Sequence, residues 1–319
     1  MLATVFHSSQ AQAAISIDSD EIVSVGLTEQ LGQLSISSQD VKGLKPGAVV
    51  PSMMAANITD PKTVANALET VFKRYKRAPK RIAMVLPDTI AKVTLLSFDA
   101  VPDRESDLEQ LIRLKMKRSA PFSLDDAQLS YLKCGTNRAK QSQFLVVVVQ
   151  KTILAEYEDV CSAAALKVGC VDLASFNLIN TYLYIHPHRQ PVDWMLVHVA
   201  RYYTTVALVR GAQLIFFRTQ AIGPGTSLEN FIHQTTMYHE DRLDGNGIER
   251  VVFLTTESES KADALEPVLR RAFHDSPKVA FEELGTQILT AIKSEKQLAL
   301  PTVNRLAAPI GILLRDRHN

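Results

Sequence analysis

The sequence predicts an α/β protein of two related lobes, with a small α+β module inserted into the first. Three observations predict it. Residues 194–218 read as three consecutive strands. Helix, strand and helix patterns follow them. The order of three strands, helix and strand also occurs near the start of the chain, with negligible residue identity between the two copies. At 319 residues the chain has room for two lobes of ordinary domain size.

In the first half, 14–17, 22–27 and 31–36 read as short strands, separated by Asp18-Ser19-Asp20 and by Glu29-Gln30, with Gly32 at the start of the third. A Gly- and Pro-rich loop spans 43–51. Asp60-Pro61 then offers an N-cap and a preset first helical residue. The helix presents Val64, Leu68, Val71, Phe72 and Tyr75 on one face, and its basic end (Lys73, Arg74, Lys76, Arg77) suits the helix dipole. Strand 81–86 ends at Pro87-Asp88. This lobe is assigned to 1–90 and resumes over 171–190, where a strand at 171–173 leads into a helix after Ser175.

Residues 91–170 form the inserted module. A strand at 91–98 precedes a helix at 104–118 that is acidic at its start (Glu105, Asp107, Glu109) and basic at its end (Arg113, Lys115, Lys117, Arg118), the order the macrodipole favours. Pro121-Phe122 stops it. Strands follow at 128–133 and 144–150, the second apolar on both faces as a central strand is. An amphipathic helix at 152–168 carries Ile153, Leu154, Tyr157, Val160, Cys161, Ala164 and Ala165, and Gly169 is expected to close it.

The second lobe covers 191–319. Its three strands turn at Arg210-Gly211-Ala212. After Gly223-Pro224-Gly225, the run from Thr226 to Glu229 fits a capping box that opens a helix. Strand 251–254 and an apolar-periodic segment through Leu265, Val268, Leu269, Ala272 and Phe273 follow. Meander, helix, strand, helix is one half of an actin-like (ribonuclease-H-like) lobe.

Composition narrows the function classes. Hydrophobic content of 46% and charged content of 22% are ordinary for a globular protein. A net charge of +1 gives no general attraction to nucleic acid or anionic lipid, so no nucleic-acid partner is expected. No run approaches the roughly 18 apolar residues of a membrane span. The start imitates a signal peptide in its Ala-x-Ala pattern but lacks basic residues and an apolar core, which favours a ragged cytoplasmic N-terminus. Cys134, Cys161 and Cys170 include no Cys-x-x-Cys pair, which points to core thiols in a reducing compartment.

Several segments together carry a family resemblance. They are 81–98 with Leu86-Pro87-Asp88, the Pro121-Phe122 pair and Tyr131, 144–178 with Val168-Gly169 before Val171-Asp172, and the tail 306–315. In this order they resemble the PilM family, actin-like cytoplasmic proteins of the bacterial type IV pilus inner-membrane platform. The resemblance runs over nearly the whole chain.

An actin-like ATPase needs two turns that hold phosphates, a metal-binding carboxylate and a Gly-rich turn at the adenosine. By the resemblance, the first turn falls on Asp18-Ser19-Asp20-Glu21. Asp18 is kept as a metal carboxylate, but the glycine is gone and two further carboxylates crowd the phosphate position. The second falls on 198–204, where His198 and Ala200 replace Asp and Gly, and only Thr204 and Thr205 remain. The adenosine turn falls on Thr255-Thr256. The helical subdomain that in the family follows the Gly223-x-Gly225 helix is reduced or missing, because that helix passes straight to strand 251–254. Asp18, Thr204 and Thr205 are thus the remnant of a nucleotide site, and no cofactor is expected, ATP and Mg included.

Other constellations lack partners. His186-Pro187-His188 has no adjacent carboxylate or thiol, His233 and His239 are six apart on one helix, and the run from Asp244 to Gly247 lacks the other oxygen ligands of a calcium loop. The resemblance implies a non-catalytic scaffold, peripheral at the inner membrane, that holds the cytoplasmic tail of a bitopic PilN-like protein between the first lobe and the module. Val93, Leu95, Pro121 and Phe122 are the residues expected to line that groove. The competing classes are a working ATPase with an atypical site, and the cytoplasmic part of a type II secretion platform protein. The end at Asn319 speaks against the latter, and self-association is left open.

Overall fold

The computed structural model describes residues 11–315, apart from 12, 74, 76–78, 138, 188–191, 258, 275 and 295–296. The chain divides into two units. The N-terminal unit takes in the described residues up to 24 together with 40–173; the C-terminal unit takes in 25–39 and 174–315. Arg74, Lys76, Arg77 and His188, and most of the signal-like start, lie outside the described residues.

β1 (Ala13–Ile17) leads through a turn into β2 (Glu21–Gln30), and β3 (Gln33–Gly43) returns. The division cuts both β2 and β3. The third strand is longer than expected and starts later. Leu31 and Gly32, with φ of 50° and 76°, form the hairpin turn, and the strand continues through the polar run to Gly43. Pairing with β2, not burial, sustains that polar part, so periodicity could not show it.

Asp60 caps α1 (Pro61–Phe72) as expected. Its carboxylate accepts the Thr63 amide at 3.0 Å and the Thr63 hydroxyl at 2.6 Å. Val64, Leu68, Val71 and Phe72 form its buried face. β4 (Arg81–Leu86) pairs in parallel with β1, Ala13 opposite Ile82. Its residues 82–86 are buried on both faces, which their unbroken apolar run requires.

The module contains β5 (Lys92–Phe98), α2 (Glu105–Met116), β6 (Ala127–Thr136) and β7 (Ser142–Gln150), in an antiparallel sheet of order β5-β7-β6. Leu108, Ile112 and Met116 of α2 cover one face, against Phe98, Leu129, Phe144, Val146 and Val148.

α3 (Lys151–Ala163) buries Tyr157 and Cys161, and burial pushes the Cys161 thiol up to about 12. This helix ends earlier than expected. Ala165 takes a φ of 57° and the Leu166 amide returns to the Cys161 carbonyl at 2.9 Å. Val168 and Gly169 belong instead to β8 (Lys167–Leu173), parallel to β4. Ile82 faces Val168 and Ala83 faces Cys170, so Gly169 is the extra residue of a bulge and not a helix stop.

The loop before α1 is held by one side chain. Asn57, wholly buried, donates to the Ser52 and Ala55 carbonyls at 2.8 and 2.7 Å. Its oxygen accepts the Ser52 amide and the Tyr157 hydroxyl, each at 3.0 Å. Glu156 accepts the amides of Asn57 and Ile58 at 2.6 and 2.9 Å.

The C-terminal unit opens with α4 (Ala174–Ile185) and the meander β9 (Asp193–Val199), β10 (Tyr203–Arg210) and β11 (Gln213–Ala221). Gly211, with φ of 59°, makes the expected hairpin turn. The cap of α5 (Leu228–Arg242) differs by one residue from expectation. Ser227 accepts the Asn230 amide at 3.3 Å, while the Thr226 hydroxyl donates to the Gly223 carbonyl at 2.7 Å. Thr226 serves the glycine turn, which frees Ser227 for the helix. Residues 243–249 then lead directly to β12 (Arg250–Thr255), with no further helix between them.

Next come α6 (Glu259–Ala272), β13 (Ala280–Glu283), α7 (Leu284–Ala291), the short β14 (Lys293–Ser294) on β3, and α8 (Leu300–Leu314). The sheet order is β11-β10-β9-β12-β13. α8 packs on α4 so closely that a Cβ at Gly311 would stand 2.1 Å from the Asn177 carbonyl oxygen. Asp193, at the start of β9, binds Arg210 through two bonds of 2.7 and 2.6 Å and the buried His239 of α5 at 2.6 Å.

Candidate functional site

The C-terminal ends of β1, β4 and β8 are adjacent because the three strands are parallel neighbours. In such sheets that edge is where ligands sit. Each end carries an aspartate: Asp18 after β1, Asp88 beyond Pro87 after β4, and Asp172 as the penultimate residue of β8. Asp88 and Asp172 are buried, and the Asp172 carboxylate accepts the Leu173 amide at 2.8 Å. Asp88 and Asp172 were visible in the sequence only as motif fragments. The signal that could have marked them is a carboxylate at the end of each of two apolar strands. Among the described residues, no group of three His, Cys, Asp or Glu is placed to hold a metal ion.

The first turn closes on itself. The Asp18 amide donates to the Glu21 carbonyl at 3.1 Å. The Asp18 carboxylate accepts the Ser19 amide at 2.6 Å and the Ser19 hydroxyl at 3.2 Å. Ser19 is buried, and the Asp20 carbonyl accepts the Leu44 amide at 2.7 Å.

The second turn lies in the C-terminal unit, so Asp18 and the Thr204/Thr205 pair belong to different units. Here the Ala200 amide donates to the Tyr203 carbonyl at 2.9 Å. Thr204 and Thr205 are both buried, and the Thr205 hydroxyl shares a 2.9 Å hydrogen bond with Thr219 on β11. His198, also buried, lies 3.0 Å from the Ser175 hydroxyl and edge-on to Tyr203. Tyr202 is 52% exposed, with the Arg201 guanidinium over its ring. At the third turn, the Thr255 hydroxyl accepts the Glu257 amide at 3.1 Å and the Thr256 amide donates to the Val199 carbonyl at 3.3 Å.

The residues expected to receive a partner fall on two faces of the module. Val93 and Leu95 pair across with Val147 and Leu145, so they share the sheet face away from α2. Phe122 packs into the cluster beneath α2, and Pro121 beside it is exposed. β5 is an edge of its sheet. On the Val93 side, Val147 and Val149 border a small apolar gap closed by Leu86, Ile90, Leu154 and Leu173. Periodicity alone could have separated the faces, since Val93 and Leu95 alternate with Leu96 and Phe98.

The family model described as type IV pilus assembly protein PilM matches residues 14–245, well over half of the chain. The chain belongs to the PilM family. No curated protein matches it. Among solved structures, it is similar to a PilM–PilN type IV pilus biogenesis complex. The identity is 12%, coverage is 98% of this chain and 99% of that one, and the TM-score is 0.80. It is also similar, at 10% identity and a TM-score of 0.49, to the cytoplasmic domain of EpsL, an inner-membrane component of the Vibrio cholerae type II secretion system, with 93% of each chain covered. A Bacteroides thetaiotaomicron protein of actin-like ATPase fold gives 12% identity and a TM-score of 0.46 over 85% of this chain and 90% of that one. The last two scores carry no functional argument. The PilM fold here is the actin-like α/β one that the sequence predicts, and no helix among the described residues is long and apolar enough to cross a membrane.

Proposed function

We propose that this PilM-family chain is a non-catalytic cytoplasmic scaffold of a type IV pilus assembly platform, peripheral at the inner membrane, and that it holds the cytoplasmic tail of a PilN-like protein. Family membership and the fold likeness to a PilM–PilN complex support the assembly role. The observation that carries the non-catalytic part is at the first turn. The Ser19 amide and hydroxyl both go to the Asp18 carboxylate. In an ATPase those donors face a phosphate and that carboxylate faces the metal. The second turn adds to this, because its threonine hydroxyls are buried and one is bound to Thr219. On this reading the first turn serves its own backbone and not Mg-ATP, and no step of catalysis is assigned to these residues.

An extended tail could add to the edge strand β5, with main-chain hydrogen bonds supplying affinity and pockets at alternate side chains supplying specificity. Val93 and Leu95 flank such a strand on one face. Titration of a labelled synthetic PilN-like tail into the full chain, read by fluorescence anisotropy, tests this. Saturable binding that V93E/L95E weakens at least tenfold, with circular dichroism unchanged, is expected. A tail that ignores the protein overturns the partner reading.

A further inference from the structure

The helix α2 has a charge order that its packing does not use up. Its buried side is Leu108, Ile112 and Met116. Arg113 is satisfied by Glu109 and by the Leu124 carbonyl, each at 2.8 Å. Lys115 donates to the Ser97 carbonyl at 2.6 Å and lies 4.1 Å from the Phe98 ring centroid, and among the described residues it forms no ion pair. Lys117 and Arg118, just past the helix end, are exposed and form no ion pair among the described residues. Leu114 precedes them by three and four residues, on the same outer side, and is 68% exposed. A lone exposed leucine is ordinary. A leucine set between uncompensated cations is the pattern of an interfacial contact, in which the apolar side chain enters the headgroup boundary and long basic stems reach phosphates.

We propose that the C-terminal half of α2 is a contact surface for anionic phospholipid headgroups, with Leu114 entering the interface and Lys115, Lys117 and Arg118 meeting the phosphates. Charge complementarity selects this occupant. Four cations and no acid lie between residues 113 and 118, on a chain whose net charge is only +1. Glu105 and Asp107 at the other end are repelled by the same surface, so the helix meets it by its C-terminal end. Each basic side chain near such a surface adds about fivefold in partitioning at low salt. Three cations and one leucine therefore give a weak, salt-sensitive contact that counts when another interaction already holds the protein nearby. This inference goes beyond the tail reading, and its test contains no tail.

The full chain is floated with vesicles of phosphatidylglycerol and phosphatidylethanolamine, and with vesicles of phosphatidylcholine alone. Binding to the anionic vesicles only, abolished at about 0.5 M salt, is expected. K117E/R118E, which removes two cations and adds two anions, should lower it by about 25-fold or more, and L114E by about tenfold. K42E/K45E, a charge reversal at exposed residues elsewhere, should lower it far less. All three variants should keep the parent melting temperature, because the altered side chains are exposed. No binding to anionic vesicles at low salt, or an equal loss in K42E/K45E, overturns the proposal. So does a result in which vesicles are ignored and L114E instead abolishes self-association in sedimentation velocity, which would assign the surface to a second copy of the chain.

Discussion

The Asp18 carboxylate accepts a 2.6 Å hydrogen bond from the amide of Ser19, the residue beside it, and a 3.2 Å bond from the Ser19 hydroxyl. The side chain is thereby turned back onto its own turn and acts as a structural acceptor. Asp18→Asn keeps an oxygen in that place and should unfold within about 0.5 kcal/mol of the parent in urea. Asp18→Ala removes the acceptor from a buried serine and should cost about 1–2 kcal/mol. Equal, negligible effects of both changes would remove the structural role.

The Asn57 side chain makes four bonds, three that hold the loop before α1 together and one from the Tyr157 hydroxyl that ties this loop to α3. Asn57→Ala leaves that buried hydroxyl and several loop backbone groups without their partner. A loss of about 2–3 kcal/mol follows, visible as a lower urea midpoint at unchanged slope. Tyr157→Phe removes a single bond and should cost about 1 kcal/mol.

Asp193 is the acceptor for both Arg210 and the buried His239. Burial by itself would raise its pKa. The hydrogen bonds and charges of Arg210 and His239 outweigh that and hold the carboxyl below its ordinary value. A depressed carboxylate stabilises the fold fully above its unfolded pKa, near 3.9, and loses that contribution as pH falls through the lower folded value. Asp193→Asn should therefore cost about 2 kcal/mol at pH 7, and the gap to the parent should shrink on acidification below about pH 4. Urea unfolding at a series of pH values reads both effects; a gap that stays constant into acid would exclude the carboxylate as its source.

Local chemistry made much of the fold legible. The Asp60 cap, the Gly211 hairpin and the unbroken apolar runs of β4 and β7 each follow from a few adjacent residues. The errors came where tertiary pairing overrode local pattern. β3 extends through polar residues because β2 pairs with it, and Gly169 is a bulge because β4 pairs across it. The Asn57–Tyr157 and Asp193–His239 bonds join residues 100 and 46 positions apart, and no spacing rule anticipates them. At the candidate site, the absence of Gly from 18–21 and from 198–204 was readable. That Asp18 would bind Ser19, and that Thr205 would bind Thr219, was not, because only a built turn decides which donors a carboxylate or hydroxyl meets.

The most direct measurement is thermal denaturation of the full chain across a Mg-ATP titration, with calorimetry at the highest concentrations. A ligand present at about 100 times its dissociation constant stabilises a folded protein by roughly 2.7 kcal/mol, enough to raise the melting temperature by several degrees. The scaffold account predicts no shift and no heat of binding up to millimolar Mg-ATP. A saturable rise in melting temperature that Asp18→Ala abolishes would contradict it and restore the chain to the nucleotide-binding actin-like proteins.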